Sequence, residues 1–204
     1  MNARFITFEG IDGAGKSTHI GWYVEQLRAR GLTVLATREP GGSALAESLR
    51  ELLLHQPMSL ETELLLVFAA RRDHLERVVR PALAAGQWVV CDRFTDSTYA
   101  YQGGGRGAPL SRIAELERWV HGDLQPRRTY LFDLEPDEAA RRRGAARAAD
   151  RFEAEDAAFF ERVRRGYLDR TAQAAQRFLL LDGAEPIEEL RKILEKDLIN
   201  ICSE

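Results

Sequence analysis

The feature that most constrains this chain is a glycine-rich run near its beginning, with the sequence Gly10-Ile11-Asp12-Gly13-Ala14-Gly15-Lys16-Ser17. It matches the pattern G-x-x-x-x-G-K-[ST], which binds phosphate when it follows a strand and opens a helix. The glycines let the backbone curl so that several N–H groups face one anion, and the positive end of the following helix strengthens the attraction. A chance match is roughly a one-in-a-hundred event from residue frequencies. The alternative interpretation is a turn that is merely rich in glycine.

The residue types in this loop predict how it would hold a nucleoside triphosphate. Lys16 can reach the β- and γ-phosphates, and the hydroxyl of Ser17 can bind Mg²⁺. We therefore expect an ATP site with Mg²⁺ as the cofactor. The candidate ATP-binding residues of the loop are Gly10, Ile11, Asp12, Gly13, Ala14, Gly15, Lys16, Ser17 and Thr18.

Short apolar segments alternate with longer amphipathic segments along the chain. The apolar ones have the near-continuous hydrophobic character of buried parallel strands, and they span 5–8, 32–36, 88–91, 129–134 and 178–181. The amphipathic ones predict helices over 17–30, 44–54, 60–85, 110–121, 137–143, 154–176 and 187–199. This alternation predicts an α/β protein with the three-layer P-loop NTPase fold, in which a five-stranded parallel sheet carries helices on both faces.

Length and charge narrow the possible classes of protein. A chain of 204 residues suits one domain with a sizeable core, so we expect a single domain over 1–204. The net charge of −3 gives no overall positive field, so we expect no nucleic-acid partner. The two cysteines have no second Cys or His at the spacing of a metal site. Without a membrane-length apolar run or a signal-like leader, we expect no membrane association and a cytoplasmic location.

A P-loop alone does not specify a reaction, because GTPases and motor ATPases also contain one. GTPases usually recognise guanine through an N-K-x-D segment, and none of the three lysines here follows an asparagine. Motor and DNA-dependent ATPases usually need a longer chain. The small-molecule and nucleotide kinases remain.

Two charged residues lie at predicted strand ends, where ligands bind in open α/β sheets. Arg38 stands in a turn with proline and two glycines and could clamp a phosphate, or it could be an ordinary surface arginine. Asp92 ends the apolar run before it and could hold Mg²⁺ through water in the manner of a Walker-B acid. The alternative for Asp92 is a plain acidic residue at a strand end.

Three ordered segments carry a resemblance to a known family. They are FEGIDGAGKST at 8–18, TREPGG at 37–42, and DRF at 92–94 followed by Ser97 and by YAYQGGGRG at 99–107. Together they resemble the thymidylate kinases, and the resemblance extends over about 5–182. Phe94 departs from the pattern, because the family often has Tyr or His there, and we expect this position to be structural.

The resemblance implies the reaction dTMP + ATP → dTDP + ADP. One alternative is another nucleoside monophosphate kinase or a deoxynucleoside kinase, which would need a carboxylate base beside a sugar hydroxyl. Another is a P-loop binding protein that no longer turns over, which the presence of Lys16, Ser17 and Asp92 argues against. The resemblance also implies a homodimer.

The resemblance further implies the residues that hold dTMP. Arg38 and Arg93 would clamp its phosphate, and Asp12 would contact the 3′-hydroxyl and the metal region, or would only cap the loop. Phe68 would stack on thymine and Arg72, four residues later on the same helix face, would donate to a thymine carbonyl. From the residues alone, Phe68 on an apolar stripe is more often part of a core. By the same resemblance, Thr98 would lie at the edge of the base, and Tyr101 would pack under the sugar and disfavour a 2′-hydroxyl. The complete dTMP set is Asp12, Arg38, Phe68, Arg72, Arg93, Ser97, Thr98, Tyr101 and Gln102.

The segment 141–153 is rich in arginine and predicts a short lid. If it is helical, Arg143, Arg147 and Arg151 form one cationic stripe, whose mutual repulsion would be relieved over a triphosphate. The alternative is a solvated charged face. Some thymidylate kinases carry a catalytic arginine in the P-loop and others supply it from the lid; Gly13 at the P-loop position favours the lid type. The expected catalytic residues are Lys16, Arg93, Asp12, Arg147 and Arg151, while Arg143 joins the ATP-binding set by stacking on adenine.

Overall fold

The structure is a computed structural model that describes the backbone of residues 2–143 and 150–203 and the side chains of 4–142 and 150–203. Its centre is a five-stranded sheet in which every pairing is parallel. The strands are β1 (Asn2–Glu9), β2 (Val34–Arg38), β3 (Trp88–Asp92), β4 (Pro126–Asp133) and β5 (Phe178–Asp182), and their order is β2-β3-β1-β4-β5. The predicted α/β class and five-stranded parallel sheet are confirmed.

Helices cover both faces of this sheet. They are α1 (Lys16–Ala29), α2 (Ala44–His55), α3 (Leu60–His74), α4 (Arg80–Ala84), α5 (Thr95–Thr98), α6 (Leu110–His121), α7 (Pro136–Arg143), α8 (Ala157–Gln173) and α9 (Ile187–Ser203). A first π-helical turn (Leu75–Val79) joins α3 to α4, and a second (Tyr99–Gly105) follows α5. Serine or aspartate side chains accept a backbone N–H at the starts of α2, α3 and α8, as N-caps do.

Two buried apolar clusters, one on each face of the sheet, define the three layers of the fold. Along β1 and β3, successive side chains point to opposite sides, as a strand requires. Phe5 and Val89 join the cluster that contains α3 and α6, whereas Ile6 and Val90 join the cluster that contains α1, α8 and α9. Burial of both faces explains why the strands are near-continuous apolar runs.

Two local predictions were wrong in ways that affect the site. The segment 95–105 is helical, although its glycines and polar residues gave no helical pattern. Helix α8 begins at Ala157 rather than at 154, because the side chain of Asp150 accepts from the N–H groups of Phe152 and Glu153 and holds 150–155 in turns.

Across the described ranges, no helix is long and apolar enough to cross a membrane.

Candidate functional site

The polar residues singled out above gather at the carboxyl ends of β1, β2 and β3. Two neighbouring clefts open there, and both are lined by Asp12. We call the one formed by the P-loop the donor cleft. Its lining residues are Asp12, Gly13, Ala14, Gly15, Lys16, Ser17, Thr18, His19, Asp92, Arg142, Gly183, Glu185, Ile187 and Leu190.

Lys16 is held by its own loop. Its Nζ donates to the carbonyl oxygens of Gly10 at 2.8 Å and Ile11 at 3.1 Å, and these two residues lie behind the cleft rather than in its lining. Burial of the ammonium group, followed by the nearby charge of Arg93, lowers the pKa of Lys16 to about 8. A cation in this setting gains from a bound polyanion, because phosphate oxygens would replace the solvation that burial removes.

Gly13 explains why this P-loop carries no side chain at its centre. Its φ of 93° lies in the left-handed region, and a Cβ there would stand 2.3 Å from the carbonyl oxygen of Ala139 in α7. An arginine at this position would require α7 to move. This geometry agrees with the expectation that a catalytic arginine comes from outside the loop.

Asp92 carries an oxygen that suits a cation. Its Oδ1 is buried and has no hydrogen-bond partner among the described residues. Asp92 and Ser17 line the donor cleft together, and they also share a second opening with Arg38. A carboxylate with an unpartnered buried oxygen beside a hydroxyl is a donor set that fits Mg²⁺.

The second cleft, which we call the acceptor cleft, is lined by Asp12, Glu39, Pro40, Arg50, Leu53, Leu54, Val67, Arg71, Arg93, Phe94, Ser97, Thr98, Tyr101, Gln102, Asp150 and Phe152. Ser97, Thr98, Tyr101 and Gln102 all come from α5 and the second π-helical turn. The expected dTMP residues from 93–102 therefore lie together, and most of them are on a segment that was not expected to be helical.

Arg93 stands between the two clefts. Its guanidinium donates to Asp12 at 2.8 Å, to the Tyr101 hydroxyl at 3.2 Å and to the Tyr167 hydroxyl at 2.9 Å. Its φ of 67° places a non-glycine residue in the left-handed region, a strained conformation that functional sites retain when their surroundings impose it.

Glu9 is the part of those surroundings that sequence reasoning missed. Its buried carboxylate accepts from the Phe94 N–H at 2.7 Å, the Ser97 hydroxyl at 2.6 Å and the Tyr167 hydroxyl at 3.0 Å. Burial, followed by the charge of Asp96, raises the pKa of Glu9 to about 7. The sequence offered one sign of this role, because Glu9 stands in the FEG run at the start of the P-loop segment that resembles the family.

The expected base-binding pair on α3 is displaced by one residue. Arg72 points away from the acceptor cleft, donating to the Val120 carbonyl at 3.0 Å and pairing with Glu76, and Phe68 is buried in the core. Val67 and Arg71 line the cleft instead. These two residues have the same four-residue spacing as the predicted pair but lie one position earlier, because the prediction followed the aromatic ring of Phe68.

Arg71 is held in place from two sides. Its Nε donates to Glu39 at 2.7 Å and its Nη2 donates to the Thr98 hydroxyl at 3.0 Å. Its Nη1 is buried without a hydrogen-bond partner among the described residues. The Glu39 carboxylate is itself fixed by His74, whose Nδ1 lies 2.9 Å away, so a preorganised donor faces the cleft.

A cluster of arginines marks the part of the acceptor cleft next to Asp12. Arg38 is exposed and pairs with Glu47 at 2.9 Å, so it does not belong to the cleft lining. Arg50, which was not expected, does line it and donates to the Pro40 carbonyl at 2.9 Å. Burial, followed by the positive charge of Arg38, lowers the pKa of Arg50, and Arg93 contributes in the same direction.

The lid residues are only partly where they were expected. Helix α7 ends at Arg143, whose side chain lies outside the described part, as does all of Arg147. Arg142 lines the donor cleft and donates to the Gly183 carbonyl at 2.7 Å. Arg151 lies in a turn and pairs with Glu63 at 2.7 Å, so the structure does not bring this expected catalytic residue to the donor cleft.

Comparisons with known proteins agree with this arrangement. The family model described as thymidylate kinase matches residues 8–193. A thymidylate kinase of Cupriavidus metallidurans is 59% identical over 196 residues, covering 96% of this chain and 98% of that protein. One of Burkholderia vietnamiensis is 58% identical over 199 residues, covering 96% and 97%. A crystal structure of thymidylate kinase from Ehrlichia chaffeensis has a TM-score of 0.74 at 34% identity, covering 97% of each chain. The chain therefore belongs to the thymidylate kinase family.

Proposed function

We propose that the protein transfers the γ-phosphoryl group of ATP to the phosphate of dTMP, giving dTDP and ADP. The observation that carries this proposal is the meeting of a P-loop cleft and an arginine-lined cleft at Asp12, which lines both clefts and pairs with Arg93. Donor and acceptor phosphates would lie on either side of this pair. Catalysis then consists of positioning and charge neutralisation, without a covalent intermediate.

The acceptor phosphate would be bound by Arg50 and Arg93, with Arg38 at the rim. Like-charged guanidinium groups held close together favour an anion between them, since it relieves their repulsion. A phosphate on the acceptor supports a monophosphate kinase over a deoxynucleoside kinase, whose acceptor is a sugar hydroxyl.

Thymine would be recognised between Val67 and Phe94. The free Nη1 of Arg71 would donate to a thymine carbonyl, and Thr98 would stand at the base edge. The Gln102 Nε2 donates to Glu63 at 2.7 Å, which leaves the amide oxygen to accept from the N3–H of thymine. Tyr101 would pack under the sugar and disfavour a 2′-hydroxyl.

Mg²⁺ would be held by Ser17 and Asp92. When bound, it supplies positive charge to the transferring phosphoryl group. Lys16 would bind the β- and γ-phosphates, Asp12 would keep Arg93 oriented, and Arg147 is the remaining lid candidate for the arginine that stabilises charge in the transition state. Arg142, which lines the donor cleft, would lie beside the nucleotide in the role that was expected of Arg143.

A coupled ADP-release assay over dTMP, dUMP, dCMP and ribo-TMP tests this proposal. Thymine differs from uracil by one methyl group, so kcat/KM should favour dTMP over dUMP by about 10–200-fold. Cytosine reverses the donor and acceptor pattern and leaves buried polar groups unpaired, so dCMP should be used less well than dUMP. Equal use of dCMP and dTMP would contradict the thymine assignment.

We also propose that the protein is a cytoplasmic homodimer. An apolar groove between α3 and α6 is lined by Leu65, Phe68, Ala69, Leu116 and Trp119, and the side chains of Leu65 and Trp119 are 58% and 78% exposed. Contiguous exposed apolar residues of this kind are typical of an interface. Light scattering should give twice the chain mass, and Trp119→Glu should give the monomer mass; a monomeric parent protein would exclude the dimer.

A further inference from the structure

Glu63 lies outside both clefts, yet it connects three segments that build the acceptor cleft. Its carboxylate is only 1% exposed. It accepts from the Gln102 Nε2 at 2.7 Å and from the Arg106 Nε at 3.1 Å, and it pairs with the Arg151 Nη2 at 2.7 Å. These partners belong to the second π-helical turn, the residue that follows it, and the turns over 150–155 at the carboxyl-terminal end of the lid.

Packing alone does not account for a carboxylate at this position. A buried charge is unfavourable unless it is paired and hydrogen-bonded, and an apolar side chain is often the more stable choice. Here Arg106 also pairs with Glu155 at 2.8 Å, so that two carboxylates balance two guanidinium groups. A charge-balanced network of this kind favours fixed relative positions of its members.

The first consequence concerns the wall of the acceptor cleft. The ring of Phe152, which lines the cleft, lies between the guanidinium carbons of Arg106 at 5.2 Å and Arg151 at 5.0 Å. Arg151 also donates to the carbonyl of Leu53, another lining residue, at 3.1 Å. Glu63 holds both arginines and therefore holds Phe152 against Tyr101, whose ring centroid is 5.9 Å away.

The second consequence concerns the polarity of Gln102. A carboxylate only accepts hydrogen bonds, so the Gln102 amide must direct its NH₂ group toward Glu63. The amide oxygen is then presented as an acceptor. A neutral amide in place of Glu63 could accept or donate, and Gln102 could turn its NH₂ group toward the base.

We propose that Glu63 is a positioning residue that sets the acceptor character of Gln102 and anchors the lid's carboxyl-terminal end to the acceptor cleft. This inference rests on the proposed function. It assigns to Glu63 no contact with either nucleotide, and it predicts separable effects on dTMP affinity and on the choice between thymine and cytosine.

The test compares Glu63→Gln with Glu61→Gln, an exposed glutamate on the same helix. In Glu63→Gln we expect the KM for dTMP to rise about tenfold and the dTMP:dCMP ratio of kcat/KM to fall about tenfold, the scale of losing one charged hydrogen bond. The KM for ATP should stay within about twofold, since the donor cleft keeps its contacts. Glu61→Gln should change none of these values by more than about twofold.

Arg151→Met separates the two roles. It removes one arginine from Phe152 while Glu63 still holds Gln102, so the KM for dTMP should rise and the dTMP:dCMP ratio of kcat/KM should stay within about twofold.

An unchanged dTMP:dCMP ratio in Glu63→Gln would overturn the inference, and so would a ratio that falls equally in Arg151→Met. Should Glu63→Gln fail to fold, an altered ratio in Arg151→Met overturns the inference by itself and a preserved one supports it. Failure of the parent protein and of Glu61→Gln to use dTMP would instead refute the proposed function.

Discussion

The donor cleft and the acceptor cleft hold their polar groups in different ways. In the donor cleft, consecutive residues form the loop, and Lys16 is bound by carbonyl groups five and six residues before it. In the acceptor cleft, the key bonds join residues far apart in the chain, such as Arg71 with Glu39 and Arg93 with Asp12. One cleft is a local backbone structure, and the other is a set of side chains held by ion pairs between residues far apart in the chain.

This difference has a consequence for substitutions. A loop that presents backbone N–H groups depends on few side chains, so most of its function should be concentrated in Lys16. A cleft of interlocked side chains should distribute its function over several residues, and neighbouring residues on one helix should differ sharply in importance.

The largest effect is expected in the donor cleft. Lys16→Ala should lower kcat by about 10³-fold or more, because an arginine or lysine on the transferring group is worth about that much elsewhere. The exposed Lys196→Ala is the matched control and should keep full activity. Steady-state kinetics with circular dichroism would test this, and near-normal turnover by folded Lys16→Ala would contradict the kinase assignment.

The next effect concerns the lid. Arg147→Ala should lower kcat by at least about 10²-fold with little change in the KM for dTMP, as expected for an interaction made mainly in the transition state. Arg165→Ala, an exposed arginine on α8, is the control. A kcat within threefold of the parent would mean that another arginine, such as Arg142, supplies the charge.

A smaller effect on kcat/KM is expected from two neighbouring arginines of α3, Arg71 and Arg72, which should differ sharply in importance. Arg71→Ala should lower kcat/KM for dTMP by about 10²-fold, because it removes a charged donor and leaves Glu39 and Thr98 without it. Arg72→Ala, one residue later, should stay within about threefold because its partners, Glu76 and the Val120 carbonyl, lie outside the acceptor cleft. If both variants lost kcat/KM for dTMP to a similar extent, Arg71 would not be the residue of α3 that is specifically turned toward the bound dTMP.

The smallest effect is on stability. Because the pKa of Lys16 falls from 10.5 to about 8 on folding, the folded chain binds this proton more weakly than the unfolded chain does. Lys16 therefore lowers the free energy of unfolding below pH 8, and the penalty fades as the pH rises from 8 to 10.5. Lys16→Met should be more stable than the parent at pH 7 by about 1 kcal/mol.

Urea unfolding at pH 7 and pH 10 would measure this difference, with Lys196→Met as the control. The gap between Lys16→Met and the parent should narrow at the higher pH. A gap that is constant or that widens would show that lost alkyl contacts, and not the buried charge, govern the comparison.

The same contrast explains how much the sequence could predict. The sheet, the major helices and the P-loop followed from apolar periodicity and one contiguous motif, and all three depend on local patterns. Arg71, Arg50 and Glu63 depend on which side of a helix faces a distant turn, and no local pattern states this. Phe68 was chosen for the base site because it is aromatic, but the side of α3 that faces the acceptor cleft carries Val67 and Arg71 instead.

The close approach of Ala139 to Gly13 bears on which substitutions this loop could accept in evolution. A point mutation that introduces arginine at Gly13 would meet the backbone of α7 before its guanidinium could reach a phosphate. An arginine at this position would therefore become useful only after α7 had shifted. The choice of residue in the P-loop is thus constrained by the backbone of a helix that lies far along the chain.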